Sequence, residues 1–256
     1  MPTTPYADIN DLLDDLLAQM QIVLKQKLVG LYLFGSLVWG DFDRGSSDID
    51  LLVATASDID DQEFSDLHQM QLDIVDTYPY WNGRIEIAYL STYALKTFKS
   101  RPSKIAIISP GEPFHFKEAD KGWLMNWYMV QEQGRILFGP PPTSLIDPIS
   151  KQEFIQTVKA HAARWGEWIH DSHSRPSQAY AILTMCRALY TCTQGVQASK
   201  RKAAEWAAQE LPEWSDLINS ALRWRTAWRD DSVDHVATLP ETVRFVQFMI
   251  ARIGAM

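Results

Sequence analysis

The sequence predicts an α+β protein in which an N-terminal mixed β-sheet domain precedes a C-terminal all-α helical bundle. Through residue 140, short apolar runs typical of buried strands alternate with amphipathic helical segments. After residue 150, helical spacing repeats and strand alternation is absent. A length of 256 residues suits one or two domains. We therefore predict domains over residues 1–140 and 148–256.

The N-terminal elements follow from hydrophobic periodicity. Residues 8–27 place leucines at helical spacing, whereas Leu28–Phe34 is a short apolar run that ends at Gly35 and reads as a buried strand. The pattern predicts, in chain order, helix 8–27, strand 28–34, strand 48–54, helix 60–76 and strand 83–92.

The middle of the chain is rich in residues that break regular structure. Pro102, Pro110, Gly111 and Pro113 predict that residues 100–122 are mostly loop, with a little strand. A helix over 123–133 and a short edge strand over 135–138 follow, and the proline-rich segment 139–148 is the best candidate linker. The remaining sequence predicts five helices: 151–172, 176–194, 199–210, 213–228 and 239–254.

Composition excludes several classes of protein. The chain has 32 acidic residues against 24 lysines and arginines, and this net charge of −8 argues against nucleic-acid binding and favours a cationic partner. The two cysteines, Cys186 and Cys192, are too few for a disulfide framework or a thiolate zinc site. No apolar run has the length of a membrane helix, and no signal-peptide pattern opens the chain. We expect a cytoplasmic monomer.

The chemically informative segment is LYLFGSLVWGDFDRGSSDIDLLV, which spans residues 31–53. Gly35 and Ser36 end a strand, and a glycine there lets backbone amides approach a bound anion. Asp48 and Asp50 begin the next strand, where a side-chain period of two places both carboxylates on one face. Paired carboxylates suit Mg²⁺ together with substrate phosphates. This pattern describes a nucleoside triphosphate site.

A third acidic residue follows on a later strand. In Arg84-Ile85-Glu86-Ile87-Ala88, alternation puts Glu86 on the polar face, beside apolar neighbours that enter the core. If this strand lies beside that of Asp48 and Asp50, Glu86 joins the same cluster as a further metal ligand and as the base for an attacking hydroxyl.

These residues resemble a known family. Gly-Ser, about a dozen residues, Asp-x-Asp and a later strand carboxylate form the pattern of the nucleotidyltransferase superfamily that includes DNA polymerase beta. The segments IEIAYL, RILFGPP and YAILTMCRALYTCTQGVQASKRKAAEWAAQELP are similar to those of the aminoglycoside adenylyltransferases that act on streptomycin and spectinomycin. The resemblance implies a polymerase-beta-like nucleotidyltransferase domain followed by that family's helical domain.

The resemblance also implies roles for individual residues. It places Gly35 and Ser36 at the nucleotide phosphates and makes Asp48 and Asp50 metal ligands with Glu86 as the general base. In the helical domain it places Arg187 and Lys200 against the nucleotide phosphates. The run from Lys200 through Arg201 to Lys202 leaves open which cation makes that contact.

The implied reaction transfers AMP from ATP to a hydroxyl group, with Mg²⁺ as cofactor and pyrophosphate as the other product. The expected acceptor is a small, hydroxylated, cationic molecule of the aminoglycoside or aminocyclitol type. Glu112, next to the Pro-Gly pair, is a further candidate contact for a cationic acceptor. Two alternatives remain open at this point: a protein-modifying AMP transferase of a regulatory or toxin–antitoxin pair, and a non-catalytic nucleotide or drug sensor.

Overall fold

The structure is a computed structural model that describes residues 2–119, 121–225, 234 and 236–256. The chain divides into two compact units, Met1–Phe42 with Ser47–Ile149, and Ser150–Met256 with Asp43–Ser46. The first unit contains a mixed sheet with helices, and the described elements of the second unit are helices. The predicted α+β fold class is confirmed.

The first unit alternates helices and strands close to the predicted positions. Its elements are α1 (Ala7–Leu24), β1 (Leu28–Phe34), α2 (Ser36–Trp39), β2 (Ile49–Thr55), α3 (Asp61–Thr77), β3 (Ile85–Ser91), α4 (Thr92–Thr97), β4 (Ser103–Ser109), β5 (Glu112–Ala119), α5 (Leu124–Gln133), β6 (Arg135–Phe138) and α6 (Pro142–Leu145).

The six strands form one sheet in the order β5–β4–β3–β2–β1–β6. Strands β2 and β3 are parallel, and every other neighbouring pair is antiparallel. Strand β6 lies at one edge, as the sequence predicted. Because β2 and β3 run in the same direction, the residues that begin both strands meet at one end of the sheet.

The core lies between one face of the sheet and helices α1 and α3. Leu51 on β2, with its strand neighbours Leu33 and Ile87, presents a fully buried side chain to this face. The helices contribute a matching apolar stripe, which includes Leu12, Leu16, Met20, Leu67, Met70 and Ile74. Each such side chain contributes about 1.5–3 kcal/mol when fully buried. The core therefore fixes which face of each strand points away from the helices.

The prediction of a loop over residues 100–122 is wrong, because β4 and β5 form a hairpin there. Pro110 and Gly111 make its two-residue turn between the paired residues Ser109 and Glu112, and Gly111 has a φ of +80°. Proline followed by a glycine at positive φ is the usual chemistry of a tight turn. Pro113 is tolerated because β5 is an edge strand, where a missing N–H leaves no partner unpaired.

The proline-rich segment 139–148 is packed rather than free. The Tyr32 hydroxyl donates to the carbonyl of Pro140 at 2.7 Å, and the amide of Asp147 donates to the carbonyl of Leu95 at 2.9 Å. Ile146 is fully buried. These contacts attach the segment to β1 and α4 within the first unit.

The second unit is built around one central helix. Its helices are α7 (Lys151–Trp168), α8 (Arg175–Gln194), α9 (Lys200–Glu210), α10 (Ser215–Trp224) and α11 (Leu239–Gly254). Helix α8 packs against the four others. The predicted helix over 213–228 agrees with α10 as far as Trp224, and residues 226–228 lie outside those described. Within the described ranges, none of the helices has the length and apolar character needed to cross a lipid bilayer.

Candidate active site

Gly35 forms a sharp turn between β1 and α2. Its φ is +74° and its ψ is −150°, a conformation open to glycine and strained for other residues. A Cβ at this position would lie 2.0 Å from Oδ2 of Asp50. The turn therefore requires glycine both for its backbone and for the space that the Asp50 carboxylate occupies.

The two parallel strands bring the acidic residues to the same end of the sheet. Asp50 on β2 is in register with Glu86 on β3, and Asp48 immediately precedes β2. Ile49 and Ile85 face the helical core, so Asp50 and Glu86 occupy the opposite face, where both are half-buried. The register therefore sets Asp50 and Glu86 on neighbouring strands at one end of the sheet, with Asp48 just before β2.

The surroundings of Glu86 favour its protonated form. Burial raises the pKa of Glu86 most strongly, and the nearby Asp48 carboxylate raises it further. A hydrogen bond with the Ser109 side chain opposes these effects and lowers the pKa. A carboxyl group with a raised pKa is better matched to proton transfer near neutral pH than an ordinary glutamate.

Ser109 was missed by the sequence analysis because β4 was predicted to be loop. Ser109 is in register with Glu112 on β5. Together they extend, across the sheet, the row of polar residues that Asp50 and Glu86 form on β2 and β3. Glu112 is about half exposed, with His115 Nε2 at 3.5 Å and Lys117 Nζ at 4.0 Å from its carboxylate. The Pro-Gly pair between two short apolar runs is the signal that would have predicted this hairpin.

The acidic residues suit a hard divalent cation in the presence of phosphate. Within the described ranges, no three Asp, Glu, His or Cys side chains are gathered in an arrangement that could hold a metal ion. Mg²⁺ usually takes one or two carboxylates and completes its shell with water and substrate phosphates. The oxygen donors of Asp48 and Asp50, with Glu86 one strand away, fit that pattern.

The second unit places its two predicted nucleotide contacts on one surface. Arg187 lies on α8 seven residues after Tyr180, so both point to the same side of the helix. Lys200, the first residue of α9, has its Nζ 4.6 Å from the centre of the Tyr180 ring. Trp165 on α7 packs against the same ring at 5.7 Å. Arg187 and Lys200 therefore share a cationic, aromatic surface.

Arg187 also influences His161 on α7. Burial lowers the pKa of His161 most strongly, and the nearby Arg164 and Arg187 lower it further. The His161 ring accepts a hydrogen bond from Trp165 Nε1 at 3.3 Å. A histidine whose neutral form is favoured leaves the positive charge of this surface to the arginines and to Lys200.

Lys202 points elsewhere. Its Nζ lies 5.9 Å from the ring of Tyr190, which packs edge-on against Trp206. The two lysines of this run therefore lie over different rings of α8, Tyr180 and Tyr190, which stand seven residues before and three residues after Arg187.

Comparisons with known proteins agree with the fold and the motifs. Residues 19–103 match the nucleotidyltransferase domain family, and residues 144–252 match the aminoglycoside adenylyltransferase C-terminal domain family. The first segment thus carries a nucleotidyltransferase domain, and the second carries the C-terminal domain of the aminoglycoside adenylyltransferases. These matches confirm the resemblance found in the sequence.

Individual relatives match over part of their length. An aminoglycoside (3'') (9) adenylyltransferase of Rhizobium radiobacter is 27% identical over 125 residues, which are 46% of this chain and 44% of the relative. One from Escherichia coli is 26% identical over 132 residues, which are 48% of this chain and 47% of the relative. The matched regions therefore span less than half of these curated relatives.

A solved structure matches over almost the whole chain. The crystal structure of spectinomycin adenyltransferase AAD(9) from Enterococcus faecialis, with ATP and spectinomycin, covers 94% of this chain and 98% of that one, at a TM-score of 0.74. The sequence identity is 18%, so this likeness establishes the shared fold.

Proposed function

We propose that this protein is an adenylyltransferase that moves AMP from ATP to a hydroxyl group of a small, cationic aminoglycoside or aminocyclitol. We assign the nucleotidyltransferase domain to residues 1–140 and the helical domain to residues 148–256. The observation that carries the proposal is the register of Asp50 with Glu86, next to Asp48 and behind the Gly35 turn. A non-catalytic binding protein would not need this set of acids.

The nucleotide phosphates would bind at the Gly35 turn. The amides of Val38 and Trp39 already donate to the Gly35 carbonyl, at 3.1 and 3.2 Å. The amides of Ser36 and Leu37 open the turn, where helical geometry offers no internal acceptor, and these are the donors we assign to phosphate oxygens together with the Ser36 hydroxyl. Arg187 and Lys200 are the cations of the helical domain that we assign to the nucleotide, as the resemblance implies.

Mg²⁺ would be held by Asp48 and Asp50, with Glu86 as a further oxygen donor beside them. When bound, the ion supplies charge stabilisation for the α-phosphate and for the departing pyrophosphate. The two carboxylates fit this role because they offer hard oxygen donors and leave positions for substrate phosphates.

Glu86 would act on the acceptor. The acceptor hydroxyl oxygen forms a bond to the α-phosphorus of ATP while the bond from that phosphorus to the β-bridging oxygen breaks, and the hydroxyl proton passes to the Glu86 carboxylate. Burial and Asp48 raise the pKa of Glu86, so its carboxylate is a better proton acceptor than an ordinary glutamate.

Several observations support a cationic acceptor. The relatives are named for aminoglycosides, and the similar structure contains spectinomycin. The net charge of −8 favours cationic partners. Glu112 lies on the strand next to Ser109 and is about half exposed, so it is available to an ammonium group that displaces Lys117.

The test is a pyrophosphate-release assay over a panel of aminoglycosides and aminocyclitols, with ATP and Mg²⁺. We expect release with at least one acceptor, a mass gain of one AMP in that acceptor, and neither result with Glu86→Gln. A second assay incubates the protein with labelled ATP and cell lysate, and it tests the two alternative functions. Label on a protein in place of a small molecule would indicate a protein-modifying transferase, and ATP binding without transfer in either assay would indicate a sensor.

A further inference from the structure

Arg84 joins the starts of the two parallel strands. Its backbone carbonyl accepts a hydrogen bond from the amide of Ile49 at 2.9 Å, and its guanidinium Nη2 donates to the carbonyl of Ser47 at 2.5 Å. The guanidinium carbon lies 4.9 Å from the centre of the Trp81 ring and 5.2 Å from that of Tyr80. One residue therefore contacts both strand starts and an aromatic support.

The two atoms that Arg84 binds at the start of β2 belong to the residues on either side of Asp48. Ser47 is 4% exposed and Ile49 is fully buried, so neither contact is a loose surface contact. Arg84 itself stands two residues before Glu86. Arg84 thus links the backbone on both sides of Asp48 to the strand that carries Glu86. It does so through one main-chain hydrogen bond and one side-chain hydrogen bond.

Arg84 is itself held in place. Its amide donates to the carbonyl of Trp81 at 3.0 Å, and the Trp81 side chain is 2% exposed. Gly83, with a φ of +67°, turns the chain between them so that the guanidinium folds back over the indole. A planar guanidinium can stack on an aromatic face and still donate in its own plane, which an ammonium group cannot do equally well.

We infer that Arg84 is a positioning residue that sets the place of Asp48 relative to Glu86 and thereby the affinity for ATP with Mg²⁺. The inference rests on the proposed function, since it assigns Asp48 to the metal. Residues that orient metal ligands change metal affinity or activity by roughly 10- to 100-fold when they are replaced.

The test compares Arg84→Met, which keeps the aliphatic stem but removes the charge and the donors, with Arg84→Lys, which keeps the charge and one donor. Arg101→Met is the matched control, because the Arg101 guanidinium also lies over a tyrosine, Tyr93, at 5.7 Å in the same unit. ATP binding is measured by calorimetry with Mg²⁺ and with a chelator. Circular dichroism and hydrogen exchange of the segment 47–50 report on folding and on local order.

We expect Arg84→Met to remain folded and its amide hydrogens over residues 47–50 to exchange faster than in the wild type. Its affinity for ATP should be roughly tenfold weaker in the presence of Mg²⁺ and unchanged in the chelator. Arg84→Lys should recover part of this loss, and Arg101→Met should match the wild type. If Arg84→Met fails to fold, Arg84→Lys is compared with Arg101→Met instead, and ATP affinity and hydrogen exchange of residues 47–50 again test the inference.

Unchanged affinity in a folded Arg84 variant, or an equal loss in the Arg101 control, would overturn the inference. The loss of ATP affinity must also depend on Mg²⁺, because an equal loss in the chelator would indicate general disruption of the fold and would likewise overturn it. Wild-type protein that binds ATP equally with and without Mg²⁺ would instead refute the proposed function. The two failures are therefore distinct.

Discussion

The carboxylate of Asp50 stands where a side chain at residue 35 would have to begin. Its Oδ2 would lie 2.0 Å from a Cβ at Gly35, well inside van der Waals contact. The turn assigned to phosphate and the carboxylate assigned to the metal therefore occupy adjoining space, and a side chain added at residue 35 has to displace the carboxylate. A substitution at Gly35 therefore has two effects: it strains the backbone, and it displaces the Asp50 carboxylate.

The first prediction concerns Gly35→Ala, with Gly40→Ala as its control. Both glycines have a φ of +74°, but a Cβ at Gly40 meets no atom within 4 Å. Backbone strain should destabilise each variant, by about 1–3 kcal/mol at Gly35 and about 1–2 kcal/mol at Gly40. Gly35→Ala should also lose activity by roughly 100-fold, since it displaces Asp50. Denaturant unfolding and initial rates provide the two readouts.

Equal activity in the two alanine variants would contradict this expectation. It would mean that the Asp50 carboxylate can move aside at no cost to the reaction. Restoration of activity in Gly35→Ala by high Mg²⁺ would support the view that the metal site, and not the fold, is what the substitution damages.

The second prediction concerns Glu86→Gln. The amide preserves size and one oxygen donor for the metal but cannot take up the hydroxyl proton of the acceptor. Turnover should therefore fall by roughly 100- to 10,000-fold while ATP binding is little changed. Steady-state kinetics and ATP calorimetry measure the two effects. Glu118→Gln, on the exposed face of β5, is the control and should behave as the wild type. A wild-type rate in Glu86→Gln would refute the assignment of the base.

The third prediction follows from the raised pKa of Glu86. Because the folded state holds the Glu86 proton to higher pH than the unfolded state does, the contribution of Glu86 to stability is complete below the usual glutamate pKa. That contribution is lost as the pH rises through the folded pKa. The free energy of unfolding of the wild type relative to Glu86→Gln, without divalent ions, should therefore decrease as the pH rises above the usual glutamate pKa of about 4. A flat or rising difference in urea titrations would show that the pKa is not raised.

The fourth prediction distinguishes Lys200 from Lys202. Lys200→Ala should weaken ATP binding by roughly 10- to 100-fold, as expected for the loss of a charged hydrogen bond. Lys202→Ala should have little effect, because that ammonium lies over Tyr190 and not over Tyr180. Calorimetry at two salt concentrations measures both variants, and the Lys200 effect should shrink at high salt. A larger effect from Lys202 would reverse the assignment.

Sequence patterns predicted the parts of the fold whose signals are local. The continuous apolar run at Leu28–Phe34 identified β1, which is buried on both faces over most of its length. The alternation around Glu86 identified β3, since side chains on a strand repeat every two residues. The sequence did not predict the hairpin of β4 and β5, because proline normally disfavours strands. Pro113 is acceptable only because β5 lies at the edge of the sheet.

The candidate site was predictable in its acids but not in their support. Asp48, Asp50 and Glu86 carry their chemistry in their side chains, so residue type and spacing were enough to select them. Ser109 and Arg84 act through long-range contacts that depend on strand order and register. No local pattern encodes which strand will lie beside another, so their roles emerged from the structure.

The parallel pairing of β2 and β3 has a consequence for how this unit tolerates change. Asp50 and Glu86 are adjacent because of hydrogen bonding between the strands, whereas the chain that joins them leaves by the far end of β2 and returns through α3 on the opposite face. Covalent continuity through that return path is therefore unnecessary for their proximity. Cleavage of the chain within the exposed residues 56–58 should therefore leave the two strands paired and their carboxylates adjacent.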